Sequence, residues 1–176
     1  MASKTSKILS RAVALSLLFL PLVSGCSISY KFNGGSIDYT RLKSIVIADV
    51  NNRAPIVYPP FAVNFTEGLK DFYTRRTRLD LVPRGGDLEL ECTITGYELT
   101  PMAVKEDNFA ERTLFVVTVR VRYVNHDNSK ESFERSFRAQ RDFDRSTPFS
   151  SVQDALLEEI TEDLIKQIYN ATIENW

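Results

Sequence analysis

Histidine is nearly missing from this chain. His126 is the only one in 176 residues, and it sits in a polar run, Asn125-His126-Asp127-Asn128-Ser129-Lys130, that reads as an exposed turn. One imidazole in a turn leaves no histidine-based catalytic triad and no mixed cysteine and histidine zinc cluster. Glycine is scarce too, with seven in all. Gly85-Gly86 lacks the further glycines, the lysine and the following helix of a phosphate loop, so it reads as a turn. Acidic residues are plentiful, but Glu158 and Glu162 one helical turn apart are a solvated face rather than a catalytic pair. No catalytic residue, metal-ligand set or cofactor motif is expected, and the chain does not read as an enzyme.

Acidic residues are also missing from the first 37 positions. Lys4, Lys7 and Arg11 precede an apolar run over residues 12–23, and Val23-Ser24-Gly25-Cys26 closes it. Small residues before a cysteine let an extended backbone enter a peptidase at the membrane surface, while the thiol accepts a diacylglyceryl group. The expectation is a cleaved lipoprotein signal peptide over 1–25 and acylation of Cys26, such as diacylglyceryl and palmitate, because several acyl chains on one terminus anchor a protein stably. A spanning helix needs about 20 apolar residues, and this run is shorter and broken by Pro21.

Cleavage there removes three basic residues of 22 and no acidic ones of 23, leaving 19 against 23 and a net charge of −4. Nucleic acid is therefore not an expected partner, since it calls for a clustered positive excess. Cys92 is the only other cysteine. With Cys26 acylated it has no disulfide partner within the chain and reads as a small buried apolar residue.

Residues 26–41, with Asn33-Gly34-Gly35-Ser36, read as a lipidated tether, and 42–176 as a single domain. An apolar strand is expected over 44–50, covered on both faces, followed by a turn through 51–60. Pro59-Pro60 opens a helix whose apolar face is Phe61, Phe65, Leu69 and Phe72, with Arg75, Arg76 and Arg78 complementing its carbonyl end. A short strand over 79–82 either pairs beside the first strand or extends the next. Over 88–97, Leu88, Leu90, Cys92 and Ile94 alternate with Glu89, Glu91, Thr93 and Thr95, the period of a half-buried antiparallel strand.

A third long strand over 113–124 puts Phe115, Val117, Val119, Val121 and Tyr123 on one face, with Leu114, Val116, Thr118, Arg120 and Arg122 on the other. The polar turn then makes a hairpin with a strand over 131–143. On that strand Phe133, Phe137 and Phe143 share a face with Arg135 and Arg141, whose guanidinium groups either lie over the rings or snorkel at an edge. Ser150 or Ser151 is expected to cap a last helix, with Asp154 in a weak capping box, and Leu157, Ile160, Leu164 and Ile168 as its stripe. The resulting fold class is α+β: a two-layer sandwich, two helices packed on one face of a four- to five-stranded, mostly antiparallel sheet.

Four stretches, in order after the cleavage box, resemble the LPS-assembly lipoprotein family LptE. They are Tyr30-Lys31-Phe32-Asn33-Gly34-Gly35-Ser36-Ile37, then Leu69-Lys70-Asp71 ahead of Thr77-Arg78-Leu79, then Gly86-Asp87-Leu88-Glu89-Leu90 running to Ile94-Thr95-Gly96-Tyr97, and the ending Ile168-Tyr169-Asn170-Ala171-Thr172-Ile173-Glu174-Asn175-Trp176. The resemblance implies an outer-membrane lipoprotein that partly plugs the β-barrel LptD, helps it assemble, and delivers lipopolysaccharide to the outer leaflet without a cofactor. Ser27 lacks the acidic character associated with inner-membrane retention. Thr93, Thr118 and Arg120 would face the barrel wall or glycolipid, and Arg120, Arg122 and Arg138 are the candidates for lipopolysaccharide phosphates. The plainer reading of these arginines is cross-strand pairing of Arg120 or Arg122 with Glu89 or Glu91. A lipoprotein adaptor of another envelope secretion or efflux machine is the alternative function.

Overall fold

The computed structural model describes residues 37–102 and 111–174. The cleavage box, Cys26 and most of the tether lie outside the described residues. The elements run β1 (Ser44–Ile47), β2 (Asn51–Asn52), α1 (Pro59–Arg76), β3 (Asp80–Leu81), β4 (Leu88–Pro101), β5 (Arg112–Asn125), β6 (Phe133–Asp144) and α2 (Phe149–Tyr169), which continues as a π-helical turn, Asn170–Glu174. They form one six-stranded sheet of order β3-β1-β4-β5-β6, with β2 also beside β4. The three long strands are antiparallel, whereas β1 runs parallel to both β3 and β4. Parallel neighbours need a crossover, and α1 supplies it between β1 and β3. The short strand thus pairs beside the first one, with Ser44 opposite Asp80 and Ile45 opposite Leu81.

The α+β architecture is as expected, with two differences of detail in the sheet. Two-residue β2 lies inside the segment read as a turn, held by Asn51 opposite Thr93 and Asn52 opposite Ile94. β1 alternates instead of being covered on both faces: Ile45 and Ile47 are buried, Ser44 and Val46 only partly. The stripe of α1 keeps a spacing of four throughout, so Tyr73 rather than Phe72 follows Leu69 into the core. Phe72 is part-buried, with the Tyr169 ring edge-on at 5.2 Å and the Arg76 guanidinium 5.0 Å above it. α2 buries the expected Leu157, Ile160, Leu164 and Ile168. Its cap is not the expected box. The helix begins two to three residues earlier, behind Pro148, with no side-chain cap, and Ser151 Oγ instead donates to the Pro148 carbonyl at 2.7 Å.

Both helical stripes share one core with the inner face of the sheet, namely Leu88, Leu90, Cys92 and Ile94 of β4 and Phe115, Val117, Val119 and Val121 of β5. The alternation on β4 breaks at a bulge between Ile94 and Gly96. One extra residue moves the inward positions from even to odd numbers. Tyr97 is consequently buried, its ring 4.8 Å from Phe115. On β6, Arg135 lies over Phe133 at 4.1 Å, while Arg141 reaches α2 and pairs with Glu159 and Asp163, each at 2.6 Å. Arg135 realises the first of the two alternatives, whereas Arg141 follows neither and joins β6 to α2 through its ion pairs.

Two polar contacts close the ends of the core. Asp87 Oδ2 accepts from the Lys43 and Ser44 amides and from Ser44 Oγ at 2.8–3.0 Å, which fixes the start of β1 to the turn before β4 and lowers the pKa of its carboxyl. That turn needs its glycines: Gly85 has φ +67°, and a Cβ on Gly86 would stand 2.9 Å from the Val46 nitrogen. At the far end of the helices, Tyr73 Oη meets Thr172 Oγ1 at 2.5 Å in full burial, and Thr172 also donates to the Ile168 carbonyl.

This contact makes an asymmetric prediction. Thr172→Val leaves a buried phenol without its partner and should cost about 1–3 kcal/mol, whereas Tyr73→Phe leaves Thr172 satisfied by Ile168 and should cost about 1 kcal/mol. Urea denaturation midpoints give the comparison, and a Tyr73→Phe loss equal to or larger than that of Thr172→Val contradicts it.

Candidate functional site

The pleat that buries one face of β4, β5 and β6 under the helices turns the other face outward. Register then sets the outward residues in rows. Glu91, Arg122 and Glu134 form one row, Thr93, Arg120 and Ser136 the next, and Gly96, Thr118 and Arg138 the third. All five sheet residues singled out from sequence therefore share this face and fall in adjacent rows. Arg120, Arg122 and Arg138 are exposed, and Thr93 and Thr118 are half-buried between them.

Partners divide the arginines. Arg122 Nη1 donates to Glu91 Oε2 at 2.9 Å, and this carboxylate raises the guanidinium pKa further. Arg120 Nε is 3.9 Å from Glu134 Oε1 on β6, not paired with Glu89 or Glu91. Glu89 instead stands 3.1 Å from His126 Nε2. Both arginine pairs are about half exposed, so water screens them and they hold their arginines weakly. Among the described residues Arg138 has no ion-pair partner.

The structure adds a residue the sequence did not point to. β2 lies beside β4 and brings Arg53 onto this face, its amide donating to the Ile94 carbonyl at 2.9 Å. Arg53 joins Arg120, Arg122, Asn51, Glu91 and Glu134 around a concavity of about 320 Å³. Among the described residues Arg53 has no ion-pair partner either. A two-residue strand made of asparagines carries no apolar alternation, so no sequence pattern announced it.

Other candidates stay structural. Arg75 pairs with Asp71, and Arg78 stands over the Tyr39 ring at 6.0 Å, which leaves Arg75, Arg76 and Arg78 as a helix end rather than a separate site. A larger concavity of about 880 Å³ between α1 and α2 has Phe61, Phe72, Leu157 and Ile165 in its lining. Its rim sets Asp71, Asp154, Glu158 and Glu162 against Arg75 and Lys166, an acidic excess unsuited to an anionic ligand. No cluster of three or more metal-ligating side chains occurs among the described residues.

Fold and open face define the class first: an α+β module that presents a charged, polar sheet surface. Residues 42–172 match the family LptE, lipopolysaccharide-assembly, and the chain belongs to that family of non-enzymatic lipoproteins. No curated protein matches the chain. Among solved structures it is similar to uncharacterized lipoprotein B from Nitrosomonas europaea, at 14% identity over 72% of this chain and 79% of that one, with a TM-score of 0.51. It is also similar to a Xanthomonas campestris protein, at 11% identity over 74% and 83% of the two chains, with a TM-score of 0.53. These likenesses establish the shared fold. No helix among the described residues is long and apolar enough to cross a membrane.

Cys92 gives a direct check on this geometry, since it lies on the buried side of the same strand that carries Thr93. Burial pushes its thiol up to about 12. Iodoacetamide at pH 8 should leave it unmodified in the folded protein and alkylate it fully in urea, as read by peptide mass mapping. Rapid alkylation of the native chain contradicts the assigned faces of β4.

Proposed function

We propose that this protein is an outer-membrane lipoprotein, anchored through Cys26, that plugs the β-barrel LptD, helps it assemble, and serves lipopolysaccharide transport and insertion. The observation that carries the reading is the family match across 42–172. Supporting it is the outward sheet face, where Arg53 and Arg138 lack ion-pair partners among the described residues and Arg120 and Arg122 are held only by screened ones. Guanidinium forks match phosphate oxygens in pairs, so a phosphorylated glycolipid suits such a surface. Thr93 and Thr118 add hydroxyls between the arginines, which suit either sugar or a polar barrel wall. Contact and positioning are the whole of the chemistry in this reading; no bond is made or broken.

Two measurements test it. Native detergent extraction of the full-length tagged lipoprotein should recover one large outer-membrane β-barrel of the LptD type; recovery of a different machine, or of the lipoprotein alone, contradicts the reading. Charge reversal of Arg120, Arg122 and Arg138 together should weaken lipopolysaccharide binding on the order of tenfold or more while far-ultraviolet circular dichroism stays unchanged. Unchanged binding by the triple variant removes the arginines from the site.

A further inference from the structure

The two long edges of the sheet are built differently. On β6 the main-chain groups of even-numbered residues point away from β5, and side chains occupy three successive carbonyls. Gln167 Nε2 donates to Arg138 O at 3.2 Å, Arg141 Nη1 to Gln140 O at 2.8 Å, and Arg112 Nη2 to Asp142 O at 3.1 Å. An edge capped in this way is closed to another strand.

β4 has an edge of the opposite kind. β1 and β2 pair with it only as far as Ile94, and the strand runs on to Pro101 with β5 alone beside it. The Leu90 and Ile94 carbonyls point to the β1 and β2 side, accepting from the Ala48 and Arg53 amides. After the bulge the direction shifts by one residue. The Met102 amide donates toward β5, to the Arg112 carbonyl, so Tyr97, Leu99 and Pro101 point the other way. Among the described residues nothing bonds to these main-chain groups, which amount to two N–H donors and three carbonyls.

We infer that this stretch of β4 is a strand-addition site for an extended segment of a partner polypeptide. Its side chains state what that segment looks like. Leu99 on the inner face is 41% exposed, and the loop leaving β2 at this edge carries Ile56 and Val57 at 54% and 57% exposure. Apolar residues at alternate positions of the incoming strand cover them. On the outer face, Glu98 is exposed and has no ion-pair partner among the described residues, so a basic residue suits the intervening position. Three carbonyls and two amides accommodate a strand of about three to five residues. The inference rests on the reading above only in taking the β-barrel as the partner that donates the segment.

The test places benzoylphenylalanine at Leu99, and separately at Gln140 on the capped edge, in the full-length chain within its own envelope. After irradiation, native extraction and digestion, position 99 should give an adduct that maps to one extended segment of the co-extracted barrel, and position 140 none. The absence of an adduct at 99, equal adducts at both positions, or an adduct with this chain's own residues overturns the inference. An unirradiated extract separates the two claims: barrel present without an adduct at 99 discards the edge alone. An adduct mapped to an extended segment of another identified protein keeps the edge and discards the barrel.

Leu99→Pro gives the second arm. It removes one outward N–H at an edge, where proline is tolerated, and should lower the recovered partner by roughly fivefold or more at unchanged circular dichroism. Gln140→Pro should not lower it, and full recovery with Leu99→Pro overturns the inference.

Discussion

The two-residue period of β4, β5 and β6 is the constraint on which everything else depends. One face of these strands is almost wholly apolar, from Leu88 and Leu90 through Val117 and Val119 to Phe137. Water cannot be left on such a face, and the two helical stripes are what covers it. Once α1 and α2 are spent on that side, no further helix among the described residues remains for the other. The charged rows around Arg120 and Arg138 are thus a direct consequence of the way the core is sealed.

The same geometry explains how the arginines divide. Arg135 and Arg141 fall at odd positions of β6 and are drawn to the helix side, where rings and the carboxylates of α2 engage them. Arg120, Arg122 and Arg138 fall at even positions and meet only half-exposed acids or none. One residue of register separates a cation that ties the layers together from one left on the open face.

Much of this was legible in the chain. Strict alternation in 113–124 placed Arg120 and Arg122 opposite the core, and spacings of three and four identified the stripe of α2 and, but for Phe72 in place of Tyr73, that of α1. What escaped had no periodic signature. Asn51–Asn52 pairs through backbone alone, so β2 and the arrival of Arg53 were hidden. The bulge at Ile94/Gly96 was hidden too, because a single inserted residue is visible only against the partner strand. The start of α2 was misplaced because Ser151 has the composition of a cap yet bonds back to Pro148. The match of 42–172 to LptE then joins a face read from physics to a family of lipopolysaccharide assembly.

Hydroxyl-radical footprinting of the lipoprotein, free and in its natively extracted assembly, tests the central claim that the outward sheet face is the working surface. The account predicts that labelling of Thr118, Arg120 and Arg138 falls sharply in the assembly. Labelling of these residues that stays at the level of the free protein would contradict it.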